Sequence, residues 1–397
     1  MINKDVVIPK GFLISVAEGA IKKPGRKDMT LIYSTVQAQA AGVFTKNTVK
    51  AAPVIIDMER MQKGFGRALF INSGNANACT GKKGMNDVLK ISAKLAKLLK
   101  IPATDIFICS TGVIGTPLPM DRITPKIPEL AQNLGKSAML DAASAIMTTD
   151  TFPKLFSTEL KLGKTCAALS AIAKGSGMIS PSMATMLSFA ITDAAITTEA
   201  LKEALSVSVN ETFNSITVDG QMSTNDTVIV LANGIAGNKT IESGTKEFKK
   251  FQNALTETFS QLSDMIVRDG EGATKFITVE VMGAPTTEAA KAIAKEIANS
   301  ALVKTAIYGQ DANWGRIMAA MGASDVQFEP YGVDISFNNV KVVRKGLSTD
   351  NDSAASAVLK EKEILITVNL SMGKSTAKIR TCDLTEEYIK INAEYRT

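Results

Sequence analysis

The chain has 397 residues, of which 45% are hydrophobic and 21% are charged, and its formal net charge is +6. This composition is typical of a globular protein that is long enough for two or three core-bearing units. The sequence contains no histidine, which excludes Ser-His-Asp and Cys-His catalytic arrangements and removes the commonest ligand of transition metals.

The start of the chain and its cysteines indicate no export and no disulfide framework. The opening stretch "MINKDVVIPKGF" has no apolar signal-peptide region, and no run of about 18 apolar residues follows. We therefore predict no signal peptide, no membrane span and a cytoplasmic location. Four cysteines without a CxxC pair are interpreted as buried or incidental thiols; they are Cys79, Cys109, Cys166 and Cys382.

The first distinct helical pattern is the basic run "KISAKLAKLLK", Lys90–Lys100. It predicts an amphipathic helix with a solvated lysine side. A nucleic-acid-binding face is the alternative, but no aromatic side chains are interleaved with the lysines for base stacking. We therefore expect no nucleic-acid partner. The residues predicted for the apolar side are Leu89, Ile91, Leu95, Leu98 and Leu99.

Over the rest of the chain, short β-branched stretches alternate with longer helical patterns. This alternation predicts a layered protein of mixed α and β class. Strands are predicted over Asp105–Ser110, Thr227–Asn233, Phe276–Gly283 and Glu363–Leu370. Helices with acidic residues in or near the first turn are predicted over Thr197–Phe213, Lys246–Ile266 and Thr286–Val303.

Two glycine-rich turns resemble nucleotide-binding loops but lack the required spacing. Six residues separate Gly74 from the Gly81-Lys82 pair, whereas a Walker A loop has four. The stretch "GSGMIS", Gly175–Ser180, has serine where a GxGxxG loop has its third glycine. Neither turn predicts a nucleotide site.

The segment "KGSGMISPSMATML", Lys174–Leu187, is both broken and apolar, and it precedes the predicted buried strand "MLSFAIT". In a protein without histidine, a threonine can act as a nucleophile if it lies at a chain N-terminus, because its own α-amine is then the base. Thr185 gains that amine only if the bond after Ala184 is cut. Its hydroxyl could attack the Ala184 carbonyl, with glycines and a proline allowing the sharp turn.

A purely structural interpretation of the same segment is also open. It reads the segment as a glycine-rich loop that enters a buried strand, with methionines filling irregular gaps in the core. A threonine after an alanine is not a specific signal, so the residues by themselves leave both interpretations standing.

The segment resembles the processing site of the ornithine acetyltransferase family, enzymes of arginine biosynthesis. Further blocks resemble that family in the expected order along essentially the whole chain. One departure is Gln221-Met222, where the family usually has an acidic residue and a threonine, so we assign no catalytic role to that loop. The other blocks are "STGVIG", "IMTTDTFPK", "VDGQMSTNDT", "VRDGEGATKF", "GQDANWGRI" and "NAEYRT".

The resemblance implies an α+β fold, a layered α-β-β-α sandwich of the ornithine acetyltransferase and aminopeptidase type. It implies self-cleavage between Ala184 and Thr185, which would give an α chain of residues 1–184 and a β chain of residues 185–397. It further implies assembly as two copies of each chain, with no metal and no organic cofactor.

The same resemblance implies the site residues. Thr185 would be the nucleophile, and Thr111 and Gly112 would form the oxyanion hole, whose donors typically contribute about 2.7–4 kcal/mol each. Lys174 suits a substrate carboxylate, and Glu271 suits the ammonium of ornithine. The residues implied to line the substrate site are Thr151, Lys174, Thr185, Glu271, Asn392 and Thr397.

The implied reaction transfers acetyl from N-acetylornithine to Thr185 and then to glutamate, in a ping-pong scheme. Family members differ in whether acetyl-CoA is also a donor, and no motif in this chain decides it. The alternative enzyme is an N-terminal-nucleophile aminopeptidase or amidohydrolase of similar fold, which would pass the acyl group to water.

Overall fold

The computed structural model describes residues 6–180 and 186–394. The described chain forms two compact units. The first unit comprises residues 6–175, 186–214 and 222–266, and the second comprises residues 176–180, 215–221 and 267–394. Each unit has its own sheet and its own helices.

The described residues of the first unit form a sheet of eight strands, ordered β4-β3-β2-β8-β7-β6-β5, with β1 paired to β2. The pairs β3–β4 and β7–β8 are parallel and the others are antiparallel. The strands are β1 (Phe12–Ala17), β2 (Met29–Phe44), β3 (Phe65–Asn75), β4 (Ile106–Val113), β5 (Lys154–Leu162), β6 (Thr165–Lys174), β7 (Leu187–Thr192) and β8 (Thr227–Ala232).

Helices cover both faces of this sheet. The helices are α1 (Ala52–Met61), α2 (Gly81–Leu99), α3 (Met120–Gln132), α4 (Met139–Ala145), α5 (Thr198–Glu211) and α6 (Lys246–Arg268). Successive strand residues point to opposite faces, so in β3 Leu69 joins the apolar cluster under α4 whereas Phe70 joins the cluster under α1, α2 and α3. Burial on both faces explains why the strands are nearly continuous apolar runs.

The described residues of the second unit form a sheet of six strands, ordered β12-β11-β10-β13-β9-β14, in which β9 and β13 are parallel. Alternate residues of β9 pack into the same apolar cluster as helix α7. The strands are β9 (Phe276–Ala284), β10 (Asp334–Phe337), β11 (Val340–Arg344), β12 (Leu347–Ser348), β13 (Glu363–Asn369) and β14 (Ser375–Cys382). The helices are α7 (Thr287–Asn299), α8 (Ala301–Tyr308), α9 (Trp314–Gly322), α10 (Asp352–Val358) and α11 (Glu386–Ala393).

The predicted α+β class is confirmed, and the four predicted strands correspond to β4, β8, β9 and β13. The predicted buried strand after the central segment is β7, and all six of its residues are buried. Within the described residues the four cysteines are free, and no helix is long and apolar enough to cross a bilayer.

Two helix predictions are partly wrong. The pattern over Thr286–Val303 forms two helices, because Ser300 is extended (ψ 112°) and its side chain caps the second helix by accepting from the Val303 amide. The basic run does lie in α2, but Leu89 and Leu98 are exposed. The prediction is confirmed for Ile91 and Leu95, which are buried together with Val88, and Leu99 packs partly buried against the same apolar cluster.

Candidate active site

Thr111 and Gly112, the residues predicted to form an oxyanion hole, lie next to Val113 at the end of β4. Gly112 pairs with Gly74 of β3 and has a φ of +134°. A Cβ at residue 112 would lie 2.2 Å from the Gly74 carbonyl carbon and 2.4 Å from the Asn75 nitrogen. The two backbones therefore approach so closely that only glycine fits at this position.

Lys174 is the last residue of β6 and is 4% exposed. It pairs with Leu187 of β7, and Leu187 pairs in turn with Thr227 of β8. The ends of three neighbouring strands therefore lie side by side. Lys174 and Thr111 line the same narrow pocket, and its described lining residues are Thr111, Lys174, Met186, Leu187, Asn225 and Asp226.

Asn225 links the chain before β8 to the end of β4. Its side-chain nitrogen donates to the Ser110 carbonyl at 2.8 Å and to the Ala76 carbonyl at 2.6 Å. The side chain is buried, so these two bonds satisfy both of its donors. Asn225 thereby fixes the backbone just before Thr111.

Asp226 is buried in the pocket and is 1% exposed. Its Oδ1 accepts from the Met186 backbone N–H at 3.0 Å, whereas its Oδ2 has no hydrogen-bond partner among the described residues. Burial raises the pKa of this carboxyl well above its usual range, although the Met186 amide and the charge of Lys174 act in the opposite direction. The pocket therefore contains an acid group with an unused oxygen.

A second buried acid, Asp150, lies in the loop four residues before the first residue of β5. Its Oδ1 accepts from the Lys154 ammonium and from the Gly175 amide, each at 2.7 Å. Burial acts to raise the pKa of the Asp150 carboxyl, but the positive charges of Lys174 and Lys154 outweigh it and hold that pKa well below its usual range. Asp150 therefore ties Gly175, the residue after Lys174, to the buried Lys154.

Glu271 and Asn392 lie in the second unit and contact each other. The Asn392 side-chain nitrogen, on α11, donates to Glu271 Oε2 at 2.8 Å. The Glu271 backbone N–H donates to the Ser176 carbonyl at 2.9 Å, and a Cβ at Gly177 would lie 2.3 Å from Glu271 Oε2. Glycine at residue 177 therefore leaves room for the Glu271 carboxylate.

The structure brings some of the predicted residues together. Thr111 and Lys174 share one pocket, and Glu271 is joined to Asn392. Thr151 is exposed and follows Asp150 directly. The predictions for Ala184, Thr185 and Thr397 lie outside the described residues.

Sequence reasoning missed four buried residues, and each left a signal. Asp150 and Lys154 are four residues apart, a spacing that can form an ion pair. Asn225 and Asp226 directly precede the predicted strand β8, where side chains at a strand end often face a ligand. Both also follow closely on Gln221-Met222, the departure from the family pattern for which the sequence supports no catalytic role.

Similarity to known proteins extends over nearly the whole chain. The model of the ArgJ family matches residues 13–397. The chain belongs to the ArgJ family. This match spans both units and includes every site residue discussed above, and the family resemblance drawn from the motifs is confirmed.

Similar proteins carry the name arginine biosynthesis bifunctional protein ArgJ. The one from Geobacter sulfurreducens is 48% identical over 390 residues, which cover 98% of this chain and 99% of that protein. The one from Caldanaerobacter subterraneus subsp. tengcongensis is 49% identical over 402 residues and both chains are fully covered. A crystal structure of the Bacillus halodurans protein is 46% identical, covers 51% of this chain and 95% of that one, and has a TM-score of 0.49.

Proposed function

We propose that this ArgJ-family chain is a glutamate N-acetyltransferase. It transfers the acetyl group of N-acetylornithine to glutamate and so releases ornithine and N-acetylglutamate. The observation that carries the proposal is the pocket at the ends of β4, β6 and β8. That pocket joins Thr111 and the buried Lys174 to Met186, the residue that follows the proposed nucleophile Thr185.

The proposed maturation step cuts the chain before residue 185. The Thr185 hydroxyl attacks the Ala184 carbonyl, and the resulting ester is hydrolysed by water to give an Ala184 carboxylate and a free Thr185 α-amine. An α-amine has a pKa of about 7.7–8.0, so it can take and return a proton near neutral pH. Residues 1–184 and 185–397 are then separate chains.

In the first half of the catalytic cycle, Thr185 attacks the acetyl carbonyl of N-acetylornithine while its amine takes the hydroxyl proton. Thr111 and Gly112 stabilise the oxyanion of the tetrahedral intermediate. The C–N bond breaks, ornithine leaves with the proton, and acetyl remains as an ester on Thr185. Lys174 binds the substrate α-carboxylate, Glu271 binds the ornithine ammonium, and Thr151, Asn392 and Thr397 complete the site.

In the second half, the amine of glutamate attacks that ester, the ester C–O bond breaks, and the proton lost by the glutamate amine returns to the Thr185 oxygen as N-acetylglutamate departs. The word bifunctional in the relatives' name supports a second acetyl donor, and the donor we propose is acetyl-CoA. Acetyl-CoA would acetylate the same Thr185, so the second half-reaction is shared. We further propose that the enzyme acts in the cytoplasm as two copies of each chain.

The decisive experiment is an intact-mass measurement under denaturing conditions on the purified protein and on Thr185→Ala. In the wild type we expect two fragments, residues 1–184 and residues 185–397. In the variant we expect one uncut chain. A single uncut wild-type chain that transfers acetyl would contradict the mechanism, because Thr185 would then need another base.

A second measurement separates acetyl transfer from hydrolysis. The enzyme is acetylated with N-acetylornithine, and loss of the acetyl mass is followed with and without glutamate. We expect glutamate to accelerate the loss and N-acetylglutamate to accumulate. Equal rates with and without glutamate would favour the aminopeptidase or amidohydrolase alternative.

A further inference from the structure

Asp226 Oδ2 has no hydrogen-bond partner among the described residues. Neither the site predictions nor the proposed mechanism gives Asp226 a role. We propose that Asp226 positions the reacting amine of the proposed nucleophile and is the counter-ion of the ammonium that forms there. The inference rests on the proposed function, because that amine exists only after cleavage before residue 185. It assigns a further residue to the reaction.

The amine belongs to the residue directly before Met186, whose backbone N–H this carboxyl binds. Asp226 Oδ1 accepts from the Met186 N–H at 3.0 Å, and only two atoms, the α-carbon and the carbonyl carbon of residue 185, separate that nitrogen from the α-nitrogen of residue 185. A single carboxylate can hold two consecutive nitrogens. Asp219 does so in the second unit, where Oδ2 accepts from the Met178 N–H at 2.5 Å and Oδ1 accepts from the Ile179 N–H at 2.9 Å.

A structural role alone does not account for the aspartate. Its bond to Met186 stabilises the start of β7, but one carbonyl oxygen is enough for that bond, and asparagine would supply it. A buried polar atom without a partner typically costs about 1–3 kcal/mol. Because Oδ2 is buried and has no partner among the residues that the structure describes, the aspartate carries a cost that a cationic partner would offset.

The surrounding charges suit a proton-handling group. Among the described residues, Lys174 on β6 is the charged group that lowers the pKa of Asp226. The Ser223 hydroxyl lowers the same pKa, but it makes no hydrogen bond to Oδ2. Lys174 is itself balanced by Asp150. The charge of Lys174 is therefore shared between two acids, and Asp226 remains available to a second cation.

The chemistry follows from proton balance. When the Thr185 hydroxyl attacks, its proton moves to the α-amine and an ammonium appears. Burial raises the pKa of Asp226, but the positive charge of the ammonium lowers it. Asp226 therefore pairs with the ammonium as a carboxylate until the proton passes to the leaving ornithine nitrogen. Asp226 gains and loses no covalent bond; it lowers the free energy of the charged state through which the proton passes.

The test is the pH profile of kcat/KM for N-acetylornithine in wild type and Asp226→Asn. A neighbouring carboxylate raises the pKa of an ammonium, and the amine must be unprotonated to act as base. Removal of the Asp226 carboxylate therefore lowers the pKa of the amine and moves the acidic limb of the profile to lower pH, by about one unit or more. We also expect the plateau to fall by about 100-fold, the lower range for loss of positioned proton transfer.

Asp57→Asn is the matched control. Asp57 is also buried in the first unit and accepts from a backbone N–H, that of Ile108, at 3.0 Å, but it does not line the pocket. The acidic limb of the Asp57→Asn pH profile should coincide with that of the wild type. An acidic limb that moves equally in both variants would overturn the assignment.

Three further outcomes are decisive. A cleaved Asp226→Asn enzyme whose profile superimposes on an active wild type would overturn the inference and leave the proposed function standing. A folded but uncut Asp226→Asn chain would place Asp226 in maturation and also overturn it. If Asp226→Asn does not fold, Asp226→Ala with added formate replaces it; formate-dependent recovery of transfer supports the role, and its absence overturns it.

Discussion

At the scale of single residues, the site is built around ionisable side chains that the fold removes from water. Asp150, Lys154, Lys174 and Asp226 are all buried in the first unit. Burying a charge costs several kcal/mol unless an opposite charge and hydrogen bonds compensate it. Asp150 meets that condition, since it accepts from Lys154, from the Gly175 amide and, through Oδ2, from the Thr148 amide at 2.9 Å.

We predict that Asp150→Asn lowers the free energy of unfolding at pH 7 by about 3–5 kcal/mol, because two buried lysines lose their counter-charge. The folded-state pKa of Asp150 is lowered, so its contribution is present above the unfolded value of about 3.9 and is lost as the pH falls through the folded value. Urea unfolding at pH 7 and at pH 3 should therefore show a smaller difference at pH 3.

A double-mutant cycle controls this prediction. Lys154→Met also breaks the pair, and the Asp150→Asn, Lys154→Met double variant should lose less stability than the sum of the two single changes. Strict additivity would show that the two side chains are not coupled, contrary to the 2.7 Å contact between them.

At the scale of elements, the ends of neighbouring strands create the site. Strands β3 and β4 converge at Gly74 and Gly112, and both glycines have positive φ. Strand β6 carries Lys174, and β8 is preceded by Asp226. The position of each group is therefore set by the register of the sheet, and a change of register would move every group in the pocket.

Gly112→Ala should abolish most of the activity. The new Cβ would meet backbone atoms of β3 at 2.2 Å, and those atoms cannot move without breaking the ladder. We expect kcat to fall by at least about 100-fold, the loss typical of one oxyanion donor. Gly163→Ala is the control, because Gly163 also has positive φ but its Cβ would meet no atom within 4 Å. Comparable losses in both variants would contradict this explanation.

Element predictions from the sequence succeeded where burial is uniform. The six residues of β7 are all apolar or small, and all are buried, so composition alone indicated a core strand. The prediction of one helix over α7 and α8 was wrong because the helical periodicity of the sequence continues through Ser300. A serine that caps the next helix looks, in sequence, the same as a serine within a helix.

At the scale of the whole molecule, the proposed cleavage divides the chain but not the first unit. Strand β6 precedes the proposed cut and β7 follows it, and the two are paired along six residues. Strand β2 likewise pairs with β8 along six residues. Both proposed fragments therefore contribute neighbouring strands to one sheet.

We predict that the two fragments stay together after cleavage. Native size-exclusion chromatography should elute residues 1–184 and 185–397 in one peak, and urea at an unfolding concentration should separate them. The uncut Thr185→Ala chain is the control for the mass of the undivided protein. Separate elution in native buffer would show that the β6–β7 and β2–β8 ladders do not hold the fragments.

The sequence by itself determined the class of the fold, five of the fourteen described strands and the family. Apolar periodicity and motif order are local properties, and they are readable without the tertiary structure. Only the tertiary structure identified Asn225 and Asp226 as neighbours of Thr111 and Lys174, and Asp150 as a charge partner of Lys174. These residues are far apart in the chain, and their proximity depends on strand order and register. The burial that raises the pKa of Asp226 and the lysine charges that lower the pKa of Asp150 are in place only after the sheet has formed.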